Sequence, residues 1–174
     1  IEASMAAGLT SVGISVHSPL PYESGWGVYK DRLEEYIGEM HALTREYAGR
    51  IEVFTGIEWD ILTKTDLSRF EYVIGSVHCL QADGEYVMVD ESAEALINAA
   101  KKHYGGDFYK LCRAYYEAMS EVIDKTHGDI VGHFDLVTKF NEDGHLFDVK
   151  DPRYLGPAME ALDAAVDRDL VVEI

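Results

Sequence analysis

The chain has 174 residues, of which 47% are hydrophobic, and a formal net charge of −17 from 32 acidic and 15 basic side chains. This length fits a single domain, predicted here over residues 1–174, and no apolar run approaches the ~20 residues that a membrane-spanning helix needs. So acidic a surface argues against nucleic acid as a partner, because phosphate backbones attract positive charge.

Two cysteines, Cys79 and Cys112, are too few for a secreted disulfide scaffold, and neither belongs to a C-x-x-C pair. The first residues also lack the pattern of an export signal. We therefore expect a cytoplasmic protein that does not bind membranes.

Strands and helices are predicted to alternate along the chain. Apolar strands alternating with amphipathic helices are typical of βα units around a parallel sheet, and so of the α/β class. In chain order we predict a strand at 11–16, a helix from Asp31 to Gly49, strands at 51–58 and 72–77, a hairpin or extended excursion in 82–90, a helix after the N-cap Asp107, a strand at 129–134, a helix with Leu155, Met159, Leu162 and Val166, and a strand opening at 170–174.

Four of the predicted strands carry a polar residue at, or directly after, their carboxyl ends: His17, Glu58, His78 and His133. Ligands gather at the carboxyl ends of the strands in such folds, and imidazole and carboxylate groups bind zinc, manganese and iron. A single histidine of this kind is more often a structural residue. Four at matching positions favour a metal site.

The same residues lie in motifs that resemble a known family. GISVHSP, GIEWD, YVIGSVH and GHFDLVTKF, in this order, are similar to the PHP (polymerase and histidinol phosphatase) superfamily. The stretches VDESAE and YGGD…YYEAM resemble its histidinol-phosphatase branch. The resemblance implies a distorted (β/α)7 TIM-like barrel that binds up to three divalent ions, zinc, manganese or iron, and hydrolyses a phosphomonoester.

Carried over by position, the resemblance implies a role for each strand-end residue. Glu58 corresponds to a carboxylate that bridges two metals, His78 and His133 to ligands of the second metal, and His17 to a ligand of the third. Val16 stands where the family usually has Asp, which weakens the third site if that Asp orients its neighbour.

The family's opening His-x-His and late Asp-x-His have no counterpart in this sequence. We therefore expect a fragment without the first strand and the C-terminal end of the barrel, and hence an incomplete barrel.

Several further residues are candidates for supporting roles. Asp135 is a candidate catalytic or orienting residue, with a helix N-cap role as the alternative. Asp60 is a second candidate for orienting a ligand, and Ser76 and Lys139 are candidates for substrate binding. Trp26 either covers the site or anchors its loop in the core. The remaining histidines, His41, His103, His127 and His145, are predicted to face solvent.

The leading functional hypothesis is hydrolysis of L-histidinol phosphate to L-histidinol and phosphate in histidine biosynthesis. One alternative keeps the metals and changes the small phosphorylated substrate to a nucleotide or a phosphotyrosyl peptide. The other is a degenerate PHP-like domain without catalysis. The sequence leaves the metal, the exact substrate and the oligomeric state open.

Overall fold

The structure, a computed structural model, describes residues 1–22, 25–28, 30–126 and 129–174. It divides into two compact units, residues 1–74 and 75–174. The predicted α/β class with a mainly parallel sheet is confirmed. The helices and strands are α1 (Glu2–Ala6), β1 (Ser11–His17), α2 (Leu33–Glu46), β2 (Glu52–Asp60), β3 (Tyr72–Ser76), β4 (Cys79–Ala82), β5 (Glu85–Met88), α3 (Ala93–His103), α4 (Phe108–Thr126), β6 (Ile130–Val131), α5 (Pro152–Val166) and β7 (Val171–Val172).

In the first unit, β1 and β2 pair in parallel, with Ser11 opposite Glu52 and His17 opposite Glu58. The start of β3 lies beside β2, where the Glu71 amide donates to the Thr55 carbonyl at 2.8 Å. Helix α2 and β2 bury a core cluster of Met40, Tyr47, Ile51 and Val53.

Two glycines make room for Tyr72 against β1 and β2. A Cβ atom at Gly13 would lie 2.6 Å from the Tyr72 hydroxyl oxygen, and one at Gly56 would lie 2.1 Å from the ring carbon Cζ. Real side chains do not approach so closely. Glycine at these two positions therefore lets the tyrosine ring lie directly on the backbone of both strands.

In the second unit, the end of β3 lies beside β6, since the Gly132 amide donates to the Gly75 carbonyl at 2.9 Å. β6 then pairs with β7 in parallel. Of the two alternatives predicted for residues 82–90, the hairpin is the one found: β4 and β5 are antiparallel and are joined by Asp83 and Gly84, both with positive φ. One face of α4 is fully buried, including Leu111, Tyr115, Met119 and Val122.

Asp107 is confirmed as the N-cap of α4, because its carboxylate accepts from the Tyr109 amide at 3.0 Å. Helix α3 was not predicted, although Ser92 caps its first turn by accepting from the Ala95 amide at 3.0 Å. A serine before an apolar-periodic run, with Lys101, Lys102 and His103 in the last turn, is a recognisable helix signal.

Two expectations from the sequence are corrected. α5 exists as predicted, but Leu155, Met159 and Val166 are exposed on it, and small residues such as Ala158 and Ala161 face the core instead. The His103 side chain is only 4% exposed, against the prediction of a solvent-facing residue, and its Nδ1 lies 2.9 Å from the Asp83 carboxylate.

His41 and His145 are exposed as expected, and His127 lies outside the described residues. None of the helices in the described part of the chain combines the length and hydropathy that a membrane crossing requires.

Replacing Gly56 with Ala should lower the free energy of unfolding by roughly 1–3 kcal/mol, because the new methyl group overlaps the Tyr72 ring. Chemical denaturation monitored by circular dichroism measures this. Gly38→Ala in α2 is the matched control, since no described atom would meet its Cβ within 4 Å and alanine favours helix by up to ~1 kcal/mol. Equal stability of the two variants would contradict the packing role of Gly56.

Candidate metal centre

His17 and Glu58 meet at the carboxyl ends of two paired strands. They are register partners at the last paired position of β1 and β2, so their side chains leave the sheet on the same face. His17 Nδ1 lies 3.4 Å from Glu58 Oε2. The ladder continues one step further, where the Ser18 amide donates to the Glu58 carbonyl at 2.8 Å. The strand pairing therefore brings these two predicted site residues together.

Trp26 packs edge-on against His17, with ring centroids 4.7 Å apart and an angle of 73° between the ring planes. The same loop is fixed to the strand end, because the Val28 amide donates to the His17 carbonyl at 3.1 Å. Trp26 is 37% exposed and so is not a core anchor. Its contact with His17 agrees with the prediction that Trp26 covers the site.

The segments that follow β1 and β2 line a cavity of about 510 Å³ in the first unit. Pro19 and Leu62 contribute apolar surface, and Lys30, Lys64 and Arg69 bring positive charge to its wall. Arg69 donates to the Glu34 carboxylate through both terminal guanidinium nitrogens, Nη1 and Nη2. The volume is in the range of small-molecule sites.

His78 and His133 meet in the second unit. Their Nε2 atoms lie 3.0 Å apart, and their rings form an edge-to-face pair with centroids separated by 4.6 Å. His78 is 5% exposed and lies in the break between β3 and β4, just past the end of the strand predicted at 72–77. The Val89 amide donates to the His78 carbonyl at 3.0 Å and fixes the backbone at the break.

The backbone of His133 is strained. Its φ of 28° lies in the left-handed region, which costs a residue other than glycine of order 1–3 kcal/mol and persists only where surrounding contacts impose it. Those contacts come from Glu173 and Tyr115, two residues that the sequence did not single out. The sequence does carry a signal for Glu173, because it is a charged residue directly after the last apolar strand.

The donor atoms of both pairs have the spacing of neighbouring ligands on one ion. Two atoms bound at ~2.0–2.1 Å to a tetrahedral zinc ion lie about 3.3 Å from each other. The separations found are 3.4 Å for His17 with Glu58 and 3.0 Å for His78 with His133. Imidazole nitrogen and carboxylate oxygen are also the ligand types that zinc, manganese and iron accept. The residues of each pair therefore fit a divalent ion.

Asp135 and Lys139 both follow His133 in the chain. Asp135 precedes a short 3-10 turn, Leu136–Thr138, and forms no side-chain cap hydrogen bond among the described residues, so the N-cap alternative is not supported. Burial raises the pKa of Tyr154, and the nearby Asp135 carboxylate adds to that shift. The Lys139 ammonium donates to the Asp90 carbonyl at 3.3 Å and lies 3.8 Å from its carboxylate.

Ser76 and Asp60 are both buried, at 0% and 2% exposure. Ser76 is the last residue of β3, and Asp60 is the last residue of β2. The Asp60 carboxylate accepts from the Leu62 amide at 2.9 Å, and its own amide donates to the Ser18 hydroxyl at 3.1 Å. Asp60 thus connects the segments that follow both site strands.

The chain is similar in sequence to known proteins that carry the same name, histidinol-phosphatase. A "probable histidinol-phosphatase" of Deinococcus radiodurans is 32% identical over 99% of this chain and 64% of its own length. The "histidinol-phosphatase" of Bacillus subtilis is 27% identical over 80% of this chain and 59% of its own length. This chain thus spans about three fifths of both relatives. No protein-family model matches the chain.

A solved structure shows that the fold is shared. The crystal structure of a Listeria monocytogenes protein named "putative histidinol phosphatase hisK" aligns with 97% of this chain and 72% of its own, with a TM-score of 0.77. At 19% sequence identity this likeness bears on the fold alone.

Replacing Trp26 with Ala should speed the reaction of His17 with diethyl pyrocarbonate several-fold, because the ring packed against the imidazole is gone. Peptide mapping by mass spectrometry after timed exposure measures the rate, with the exposed His41 as internal reference. Trp26→Phe keeps an aromatic ring and should stay near the unsubstituted protein. An unchanged rate at His17 in Trp26→Ala would show that the indole does not cover it.

Proposed function

We propose that this chain belongs to a metal-dependent histidinol-phosphatase, which hydrolyses L-histidinol phosphate to L-histidinol and phosphate in histidine biosynthesis. The observation that supports this most is the spacing of the two donor pairs, 3.4 Å for His17 with Glu58 and 3.0 Å for His78 with His133. The names of the two relatives supply the substrate. We also propose that the chain folds as part of a distorted (β/α)7 barrel of the PHP type.

In this proposal the four residues, at the ends of their strands, would hold divalent ions. Glu58 would hold two of them, since a carboxylate has two oxygens that can each bind a different ion. His78 and His133 would hold one ion through their imidazoles, and His17 would hold one through its own. Such ions, when bound, lower the pKa of a coordinated water and neutralise charge on the phosphoryl group.

The remaining roles fall to side chains of the chain itself. Trp26 keeps solvent from one side of His17, and Asp135 orients a ligand or a substrate group. Lys139 binds a phosphoryl oxygen after leaving Asp90, which it contacts in this structure. The cavity beside β1 and β2 has the size to accommodate the organic part of a small phosphorylated substrate.

Glu58→Ala in the full-length protein should remove at least one divalent ion per chain and lower kcat/KM by more than the roughly 10–100-fold that follows loss of an outer-shell partner. Inductively coupled plasma mass spectrometry and a phosphate-release assay measure the two effects. Glu52→Ala, at the other end of the same strand, should leave both unchanged. Full metal content and full hydrolysis in Glu58→Ala would refute the bridging role.

A substrate panel tests the identity of the phosphomonoester. We expect kcat/KM for L-histidinol phosphate to exceed that for nucleoside monophosphates, a phosphotyrosyl peptide and p-nitrophenyl phosphate by roughly tenfold or more, because polar groups of a matching site are left unpaired by the wrong substrate. A metal-loaded protein that prefers a nucleotide would overturn the substrate and keep the metal centre. A protein without bound metal or hydrolysis would favour the degenerate, non-catalytic alternative.

A further inference from the structure

We propose that Glu173 and Tyr115 are positioning residues that hold His133 in its strained conformation and so aim its imidazole at His78. This inference rests on the proposed function, because it takes His133 to be a metal ligand. It adds two residues to the site that donate nothing to the ion themselves. Their contribution is made through the backbone of His133.

Glu173 contacts the His133 backbone through its side chain. β6 and β7 pair in register up to Val131 and Val172, and the Glu173 amide then donates to the Val131 carbonyl at 2.9 Å. Beyond this point the chain turns at His133, and the His133 amide donates to Glu173 Oε2 at 2.9 Å. The Phe134 amide donates to the Glu173 carbonyl, also at 2.9 Å. In a regular ladder the His133 amide would donate to a backbone carbonyl. Here the Glu173 carboxylate accepts this hydrogen bond instead.

Tyr115 acts on the other side of the same residue. Its side chain is fully buried in α4, and its hydroxyl donates to the His133 carbonyl at 3.2 Å. The Leu136 amide donates to that carbonyl as well, at 3.0 Å. Both backbone polar groups of His133 therefore have partners, which is the condition for a residue with a side chain to remain at positive φ.

This arrangement decides where the imidazole lies. A change of φ at His133 would rotate its Cβ and carry Nε2 away from the 3.0 Å contact with His78 Nε2. Metal ligands need such support, because a donor displaced by a fraction of an ångström loses coordination geometry. Glu173 Oε2 accepts the hydrogen bond from the His133 amide, and through this contact the carboxylate holds a ligand in place.

The test uses three variants and one control in the full-length protein. Glu173→Ala removes the acceptor, Glu173→Gln keeps a side-chain oxygen, and Tyr115→Phe removes only the hydroxyl. Tyr154→Phe is the control, because it removes a buried hydroxyl that pairs with Tyr116 at 2.8 Å and leaves His133 untouched. Three quantities are measured: hydrogen exchange of the His133 amide in the metal-free protein, Co²⁺ affinity by equilibrium dialysis, and the visible Co²⁺ spectrum.

We expect Glu173→Ala to speed exchange at His133, to weaken Co²⁺ binding by roughly 10–100-fold and to change the spectrum. Tyr115→Phe should shift the same quantities in the same direction, by less. Glu173→Gln and Tyr154→Phe should both stay close to the unsubstituted protein. Recovery in the glutamine variant separates positioning from a general loss of stability.

Two results would overturn the inference, and they are distinct. If the unsubstituted protein binds Co²⁺ and Glu173→Ala binds it equally well with the same spectrum, Glu173 is only structural. The proposed function would then stand. If the unsubstituted protein binds no Co²⁺, the proposed function fails and the positioning role fails with it.

Discussion

The register between parallel neighbouring strands is the constraint on which both donor pairs depend. In the first unit it sets His17 opposite Glu58 at the last step of the ladder. In the second it sets Val131 opposite Val172, which places Glu173 where the chain turns at His133. Because side chains alternate along a strand, a shift of one residue in either ladder would turn these groups to the opposite face. A site made from strand ends therefore inherits its geometry from backbone hydrogen bonds.

In the second unit, strand register alone does not bring the His133 imidazole to His78. Further contacts to the His133 backbone are needed. The chain leaves β6 with a positive φ at a residue that has a full side chain. Backbone strain of this kind is commonly concentrated at functional sites and is offset by contacts around them. Glu173 and Tyr115 provide those contacts, whereas the first unit, where the ladder stays regular through Ser18, requires no comparable support.

Periodicity was sufficient to predict the strands, the hairpin as one of two alternatives, and three of the long helices. The rule that strand ends hold the chemistry selected the four residues that the structure brings together as two close pairs. It could not reveal that His17 pairs with Glu58 and His78 with His133, because pairing follows from distances between segments remote in sequence. Glu173 was missed since its role depends on a backbone angle at position 133. The error at His103 has a similar cause: residues 83–85 fold back over it, although its sequence neighbours are charged. The single-domain organisation and the cellular location stay predictions.

Anomalous diffraction from crystals of the protein grown with Mn²⁺ or Zn²⁺ is the most direct test of the central claim, that these strand ends bind divalent ions. The account predicts anomalous peaks at coordination distance, about 2.0–2.3 Å, from His17 and Glu58 and from His78 and His133 Nε2. Peaks ligated by other residues, or the two histidines still in direct contact with no ion between their Nε2 atoms at saturating metal, would contradict it.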